Sequence, residues 1–164
     1  MKLKNKNIWC TVMVCLIVAF DQITKYLAKS HLSNSDAVTL IDGFLEFRYA
    51  ENTGMAFSAL SGGRWFFIVL TFVVAIGVIV FMSKKKTQSD LWLFWTLGVL
   101  LSGAIGNLID RVLFGFVIDF INPTFVDFAI FNIADCAVTL GTISLIAYML
   151  FDAFKKKDKE HRDE

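Results

Sequence analysis

Apolar residues fill four long segments of this chain, and short polar clusters separate them. The segments run from about 8 to 28, 65 to 82, 91 to 113 and 133 to 151. Each approaches the ~20 apolar residues that a helix needs to cross a bilayer core. The breaks are charged or turn-forming, as at "SKKKTQSD" after the second segment. The pattern predicts a mainly α, integral membrane fold with four transmembrane helices, formed as a single domain over 1–164. The stretch of about 36–62 becomes an outer, β-rich loop, and 152–164 a solvated tail.

Within that loop the period changes from helical to alternating. In "VTLI-DG-FLEFRYAEN", Asp42-Gly43 lies between two β-prone runs. This predicts a hairpin with a tight type I′ turn, which needs positive φ. Leu45, Phe47 and Tyr49 alternate with Glu46 and Arg48, so one face of the second strand is apolar. We expect a small sheet on the outer membrane surface. "NTGMAFSALSGG" then returns along that surface, as a lid segment or as a plain connector.

Composition agrees with membrane residence. The chain is 56% hydrophobic, against roughly 45–50% in soluble domains, and it holds 17 Phe and a single proline, Pro123. Net charge is +1, and no basic patch is interleaved with aromatics, so nucleic acid is not an expected partner. Cys10, Cys15 and Cys136 are odd in number and lie in apolar runs, which argues against a disulfide framework. His31 and His161 have no metal-ligand partners nearby in sequence, so neither a metal nor another cofactor is expected.

The placement of charge says more than its sum. Lys2, Lys4 and Lys6, then Lys84, Lys85 and Lys86, then Lys155, Lys156, Lys157, Lys159 and Arg162 mark three segments on one side. By the positive-inside rule both termini are cytoplasmic, and residues 29–64 and 114–132 lie outside. "MKLKNK" before an apolar run resembles the start of a signal peptide, but no small-residue cleavage site follows and Asp21 interrupts the run. Met13 and Val14 before Cys15 are too bulky for a lipidation site.

Ionisable groups in membrane spans are costly and need a partner or a wet cavity. Here they gather toward the outer side. Asp21 and Lys25 share a helix face at i, i+4, which suits a structural ion pair. Gly103, Gly106, Asn107 and Asp110 follow i, i+3, i+4, i+7 and form one stripe. The glycines suit close helix packing. Arg111 beside them needs a carboxylate or carbonyl partner. Beyond lie Asp119 in "VIDFI", Asp127 in "FVDFAIF" and Asp135 in the first turn of the fourth helix. Pattern alone does not separate Asp119 from Asp127 as the partner of Asp135. Two carboxylates that share a site cannot both ionise easily, so one stays an acid while the other stays a base. That suits peptide hydrolysis by activated water. It suits equally a proton- or cation-coupled transporter using Asp21, Asp110, Asp119 and Asp135. A structural scaffold accounts for the apolar stripes but not for acids on three helices.

The motifs "DQITK" (21–25), "NTGMAFS" (52–58), "GAIGNLIDR" (103–111), "VIDFI" (117–121) and "FNIAD" (131–135) resemble, in order, those of the bacterial lipoprotein signal peptidases, also called signal peptidase II. The resemblance implies a membrane aspartic endopeptidase of the bacterial cell membrane. It implies a prolipoprotein substrate whose Cys already carries diacylglycerol, cut on the N-terminal side of that Cys, with membrane lipid as a second partner. It further implies Asp119 and Asp135 as the catalytic pair, and Asp21, Lys25, Asn52, Gly54, Asn107, Arg111 and Asn132 as substrate-binding or supporting positions. Asp127 falls between the motifs. Met55 departs from the small residue often found after "NTG".

Overall fold

All four apolar segments are helices in the computed structural model, which describes residues 3–54 and 64–163. In chain order the elements are α1 (Leu3–Leu32), β1 (Val38–Ile41), β2 (Leu45–Asn52), α2 (Arg64–Ser83), a single-turn α3 (Lys85–Ser89), α4 (Leu91–Leu113), β3 (Val117–Pro123) and α5 (Ile133–Asp163). Four of them, α1, α2, α4 and α5, are long and apolar enough to cross a membrane. The chain is therefore a multi-pass membrane protein. α5 extends well beyond its apolar run because "DAFKKKDKE" is rich in good helix formers. A Lys156–Asp152 pair at 2.8 Å, one turn apart, adds to that end. Met55 and the rest of the expected lid, residues 55–63, lie outside the described residues.

The bundle is organised around α4. Half of its most apolar window is buried, against 11% for α1 and α2 and 17% for α5. The other three helices thus pack on α4 and turn their remaining faces outward, where large apolar side chains such as Leu16, Phe72 and Leu140 are exposed. That is the reverse of a water-soluble bundle and fits lipid as the surrounding solvent. The glycine stripe makes the central contact. A Cβ on Gly106 would come within 2.7 Å of the Asp21 carboxylate and 3.1 Å of the Ala134 side chain, so side chains of α1 and α5 rest on the α4 backbone there. At the opposite end polar side chains join α4 to α5. Thr96 bonds Ser144 at 2.8 Å, and Tyr148 donates to Asp90 at 2.7 Å. Asp90 in turn accepts from the Leu93 N–H and caps α4. Lys6 is not a solvated terminal charge: it is buried over the Phe94 ring and donates to the Gln88 carbonyl.

At the other end sits a three-stranded antiparallel sheet in the order β1-β2-β3. The hairpin forms, with Gly43 at φ +68, but its loop is longer than the two residues expected. Ile41 pairs with Leu45, which leaves Asp42, Gly43 and Phe44 in the loop. Phe44 leaves the ladder because its ring stacks on Phe125 at 4.4 Å and its carbonyl accepts from the Thr124 N–H. β2 also carries a bulge: Arg48 and Tyr49 lie opposite Phe120 alone, between the Phe47–Ile121 and Ala50–Asp119 pairs. Phe47 and Tyr49 still pack against the cluster of Ala28, Ile118 and Phe120, which seats the sheet on α1. The bulge adds a residue before Asn52 and so sets where that side chain arrives along β3.

Candidate active site

Asp119 follows from β3. Its neighbours Ile118 and Phe120 are buried in the apolar cluster on α1, and Asp119 itself is 2% exposed. Both of its oxygens are held. Oδ2 accepts from Asn52 Nδ2 at 2.9 Å, and Oδ1 accepts from Asn132 Nδ2 at 2.6 Å. Burial and the Asp135 charge raise its pKa, while the two amides and Lys25 hold it down; the balance is pushed up to about 6 from 3.8.

Asp135 follows from the start of α5. Asn132 caps that helix: its Oδ1 accepts from the Asp135 N–H at 2.9 Å, while Asp135 Oδ2 accepts from the Asn132 N–H at 3.1 Å. This reciprocal pair is a capping box. This helix-terminal role uses one carboxylate oxygen. The other, Oδ1, accepts from Asn107 Nδ2 at 2.8 Å. Asn132 therefore bonds both aspartates, one through its side chain and one through its backbone. Asp127 is exposed, and no carboxylate partner role for it emerges.

Behind the aspartates lies a buried ionic cluster. Lys25 Nζ meets Asp21 at 2.9 Å, Asp110 at 3.0 Å and Asn107 Oδ1 at 2.9 Å. With its oxygen bound to Lys25, the Asn107 amide must turn its NH2 toward Asp135. Asp21 Oδ1 accepts from the Ala134 N–H and satisfies another free donor in the first turn of α5. The Asp21–Lys25 pair is therefore more than the isolated ion pair its spacing suggests. Its described contacts run to α4 and α5.

Asp110 is not among the positions that the resemblance implies for the peptidase site, yet it is fully buried and belongs to the same cluster. Its Oδ1 accepts from Gln22 at 2.9 Å, and its Oδ2 accepts from the Ile118 N–H at 3.0 Å, one residue from Asp119. The signal was present: Asp110 is one turn from Asn107 on the glycine stripe. Gln22, inside "DQITK", also donates to the Gly106 carbonyl.

The remaining candidates flank this core. The Asn52 Oδ1 accepts from the Gly54 N–H at 2.9 Å, a side-chain turn that fixes the amide aimed at Asp119. Gly54 has φ +101 and abuts Phe67, where a Cβ would come within 2.6 Å of the ring. Arg111 is half-buried and has no carboxylate within bonding distance among the described residues. It makes a long 3.5 Å contact to the Asn107 carbonyl and sits 5.4 Å from the Phe67 ring centre.

Four membrane-crossing helices with carboxylates and amides gathered at one end define a polytopic membrane enzyme with an acid-rich site. Comparison with known proteins narrows the class. The family model for signal peptidase (SPase) II matches residues 13–151, and the chain belongs to that family of aspartic peptidases, which remove signal peptides from prolipoproteins. A lipoprotein signal peptidase of Staphylococcus aureus is 38% identical over 151 residues, 91% of this chain and 92% of the relative. One from Enterococcus faecalis (strain ATCC 700802 / V583) is 38% identical over 143 residues, 87% and 88% of the two chains. A solved structure, described as a bacterial membrane enzyme obtained by the in meso method at 2.3 Å, superposes with a TM-score of 0.83 at 36% identity and covers 90% of both chains. A second, at 1.9 Å, gives 0.79 at 36% identity over 86% of this chain and 92% of that one.

Proposed function

We propose that this peptidase cuts diacylglyceryl-modified prolipoproteins on the N-terminal side of the lipidated Cys, with Asp119 and Asp135 as its catalytic pair. The observation that carries this is Asn132, which bonds both carboxylates at once. The ionised member takes a proton from water while the protonated member donates to the scissile carbonyl, and the roles exchange as the amine leaves. The pKa of Asp119, pushed up to about 6, supports a carboxyl that can hold a proton near neutral pH.

The amides of Asn52, Asn107 and Asn132 hold the carboxylates in place. Arg111, whose bonds to the described residues leave most of its donors unspent, binds a substrate carbonyl near the cut. Asp21, Lys25 and Asp110 form the buried base on which Asn107 and β3 rest. Lys84, Lys85, Lys86 and the lysines of the tail favour a cytoplasmic-membrane topology with both termini inside and the site near the outer face. There the acyl chains of the substrate stay in lipid while its backbone reaches the aspartates. The transport reading would use acids near the bilayer midplane. Between the site cluster and Asp90 and Asp152 at the far ends, the helices carry none.

The test is a gel-shift cleavage assay with purified enzyme and one precursor in two forms. The diacylglyceryl form is expected to be cut and the unmodified form to resist. Equal cleavage of both would remove lipid from the recognition.

A further inference from the structure

Arg111 poses a problem that the site itself does not solve. A guanidinium on a long side chain loses rotamer freedom when it is fixed, so something must hold it. A carboxylate would do so but would also occupy its donors and cancel its charge. α2 supplies a different hold. Arg64, the first residue of α2, donates from Nε to the Arg111 carbonyl at 3.1 Å and from Nη2 to the Val112 carbonyl at 2.8 Å. Val112 is in the last turn of α4, where carbonyls lack partners within the helix. The turn that follows is shaped around this contact: Gly115 has φ +89, and a Cβ there would lie 3.2 Å from Arg64 Nη1.

Phe67 is three residues further along α2 and therefore on the same face. Its ring lies under the Arg111 guanidinium, with 5.4 Å from Cζ to the centroid. A π face attracts the cation without consuming any of its N–H donors. The same ring abuts Gly54, in the turn that aims Asn52 at Asp119. One face of α2 thus touches both the arginine and the turn that positions a carboxylate.

We propose that Arg64 and Phe67 are positioning residues for Arg111, which fix its backbone and its guanidinium so that the donors face the substrate beside the aspartates. This rests on the reading of Arg111 as the group that binds a substrate carbonyl. Neither residue touches the reacting atoms.

The test measures kcat/KM for a diacylglyceryl-modified precursor with the full chain in detergent, and the unfolding midpoint of each variant. Phe67→Leu keeps apolar bulk and removes the π face. It is expected to lower kcat/KM roughly 3- to 30-fold, the range of a partly desolvated cation–π contact, with an unchanged unfolding midpoint. Phe67→Tyr restores most of that loss. Arg64→Gln lowers kcat/KM in the same direction. Combined with Arg111→Gln, neither substitution adds a further loss, because the group being held is gone. If Arg111→Gln is impaired but Phe67→Leu and Arg64→Gln match the wild type, the positioning role is wrong and the Arg111 reading stands. Losses that add to that of Arg111→Gln indicate packing alone and overturn the proposal. If Arg111→Gln itself is fully active, the reading beneath it fails as well.

Discussion

Asn132 and Asp135 cap one helix reciprocally, at 2.9 and 3.1 Å, and that cap is also the hinge between the two aspartates. The Asn132 backbone fixes Asp135, and its side-chain NH2 donates to Asp119 at 2.6 Å. A helix-terminating device, common in any protein, here sets the geometry of a site.

The two duties of Asn132 are separable. Serine caps a helix about as well as asparagine but is too short to reach Asp119. Asn132→Ser keeps the cap but forfeits the buried bond to Asp119, at a cost of roughly 1–3 kcal/mol, and is expected to lose most of its cleavage rate. Asn132→Ala is expected to lose both, with about 1 kcal/mol for the cap. Denaturant unfolding beside single-turnover cleavage checks this. A fully active Asn132→Ser contradicts it.

Asp119 makes stability depend on pH in a defined direction. Its pKa is raised by burial first and then by Asp135, to about 6. Below the unfolded value of 3.8 the group is neutral in both states, and the native state bears no ionisation cost. As pH climbs toward 6 the unfolded chain ionises first, and the native state loses up to about 3 kcal/mol relative to it. Asp119→Asn removes that loss. The midpoint of the variant minus that of the wild type should therefore grow between pH 4.5 and 7.5. A difference that is flat or shrinking counts against the shift.

Asp110 supports the site without being part of the pair. Asp110→Ala leaves Lys25 one carboxylate short and strips the Ile118 N–H of its acceptor. Breaking a buried ionic cluster in this way costs roughly 3–5 kcal/mol. Asp110→Asn keeps an acceptor for Ile118 and should lose less. Thermal unfolding in detergent ranks the three proteins. Equal midpoints would show that the cluster does not support the fold.

The helices were legible because a bilayer imposes length and polarity on every crossing, and nothing else in the chain competes with that signal. The sheet was half legible. Leu45, Phe47 and Tyr49 alternate as a strand should, but the bulge at Arg48–Tyr49 exists only in the pairing with β3, some seventy residues away. In the site, hydrophobic pattern left Asp119 and Asp127 equivalent, since both are flanked by bulky apolar residues. Motif order separated them, and the fold buries Asp119 among amides and leaves Asp127 exposed. Asp110 is visible on the stripe, but its supporting role is not, because its partner Ile118 N–H is a backbone group that no sequence pattern marks. Arg64 and Phe67 carried no signal at all. Their importance comes from which end of α4 they meet.

The central claim is that Asp119 and Asp135 act together on the peptide bond. The direct measurement is cleavage of a diacylglyceryl-modified prolipoprotein by purified Asp119→Asn, Asp135→Asn and Asp127→Asn proteins, each first shown to be folded. The account predicts that the first two lose about 10²- to 10⁴-fold, the scale of general acid–base catalysis, while Asp127→Asn keeps most of its activity. Normal turnover by either Asp119→Asn or Asp135→Asn would contradict it.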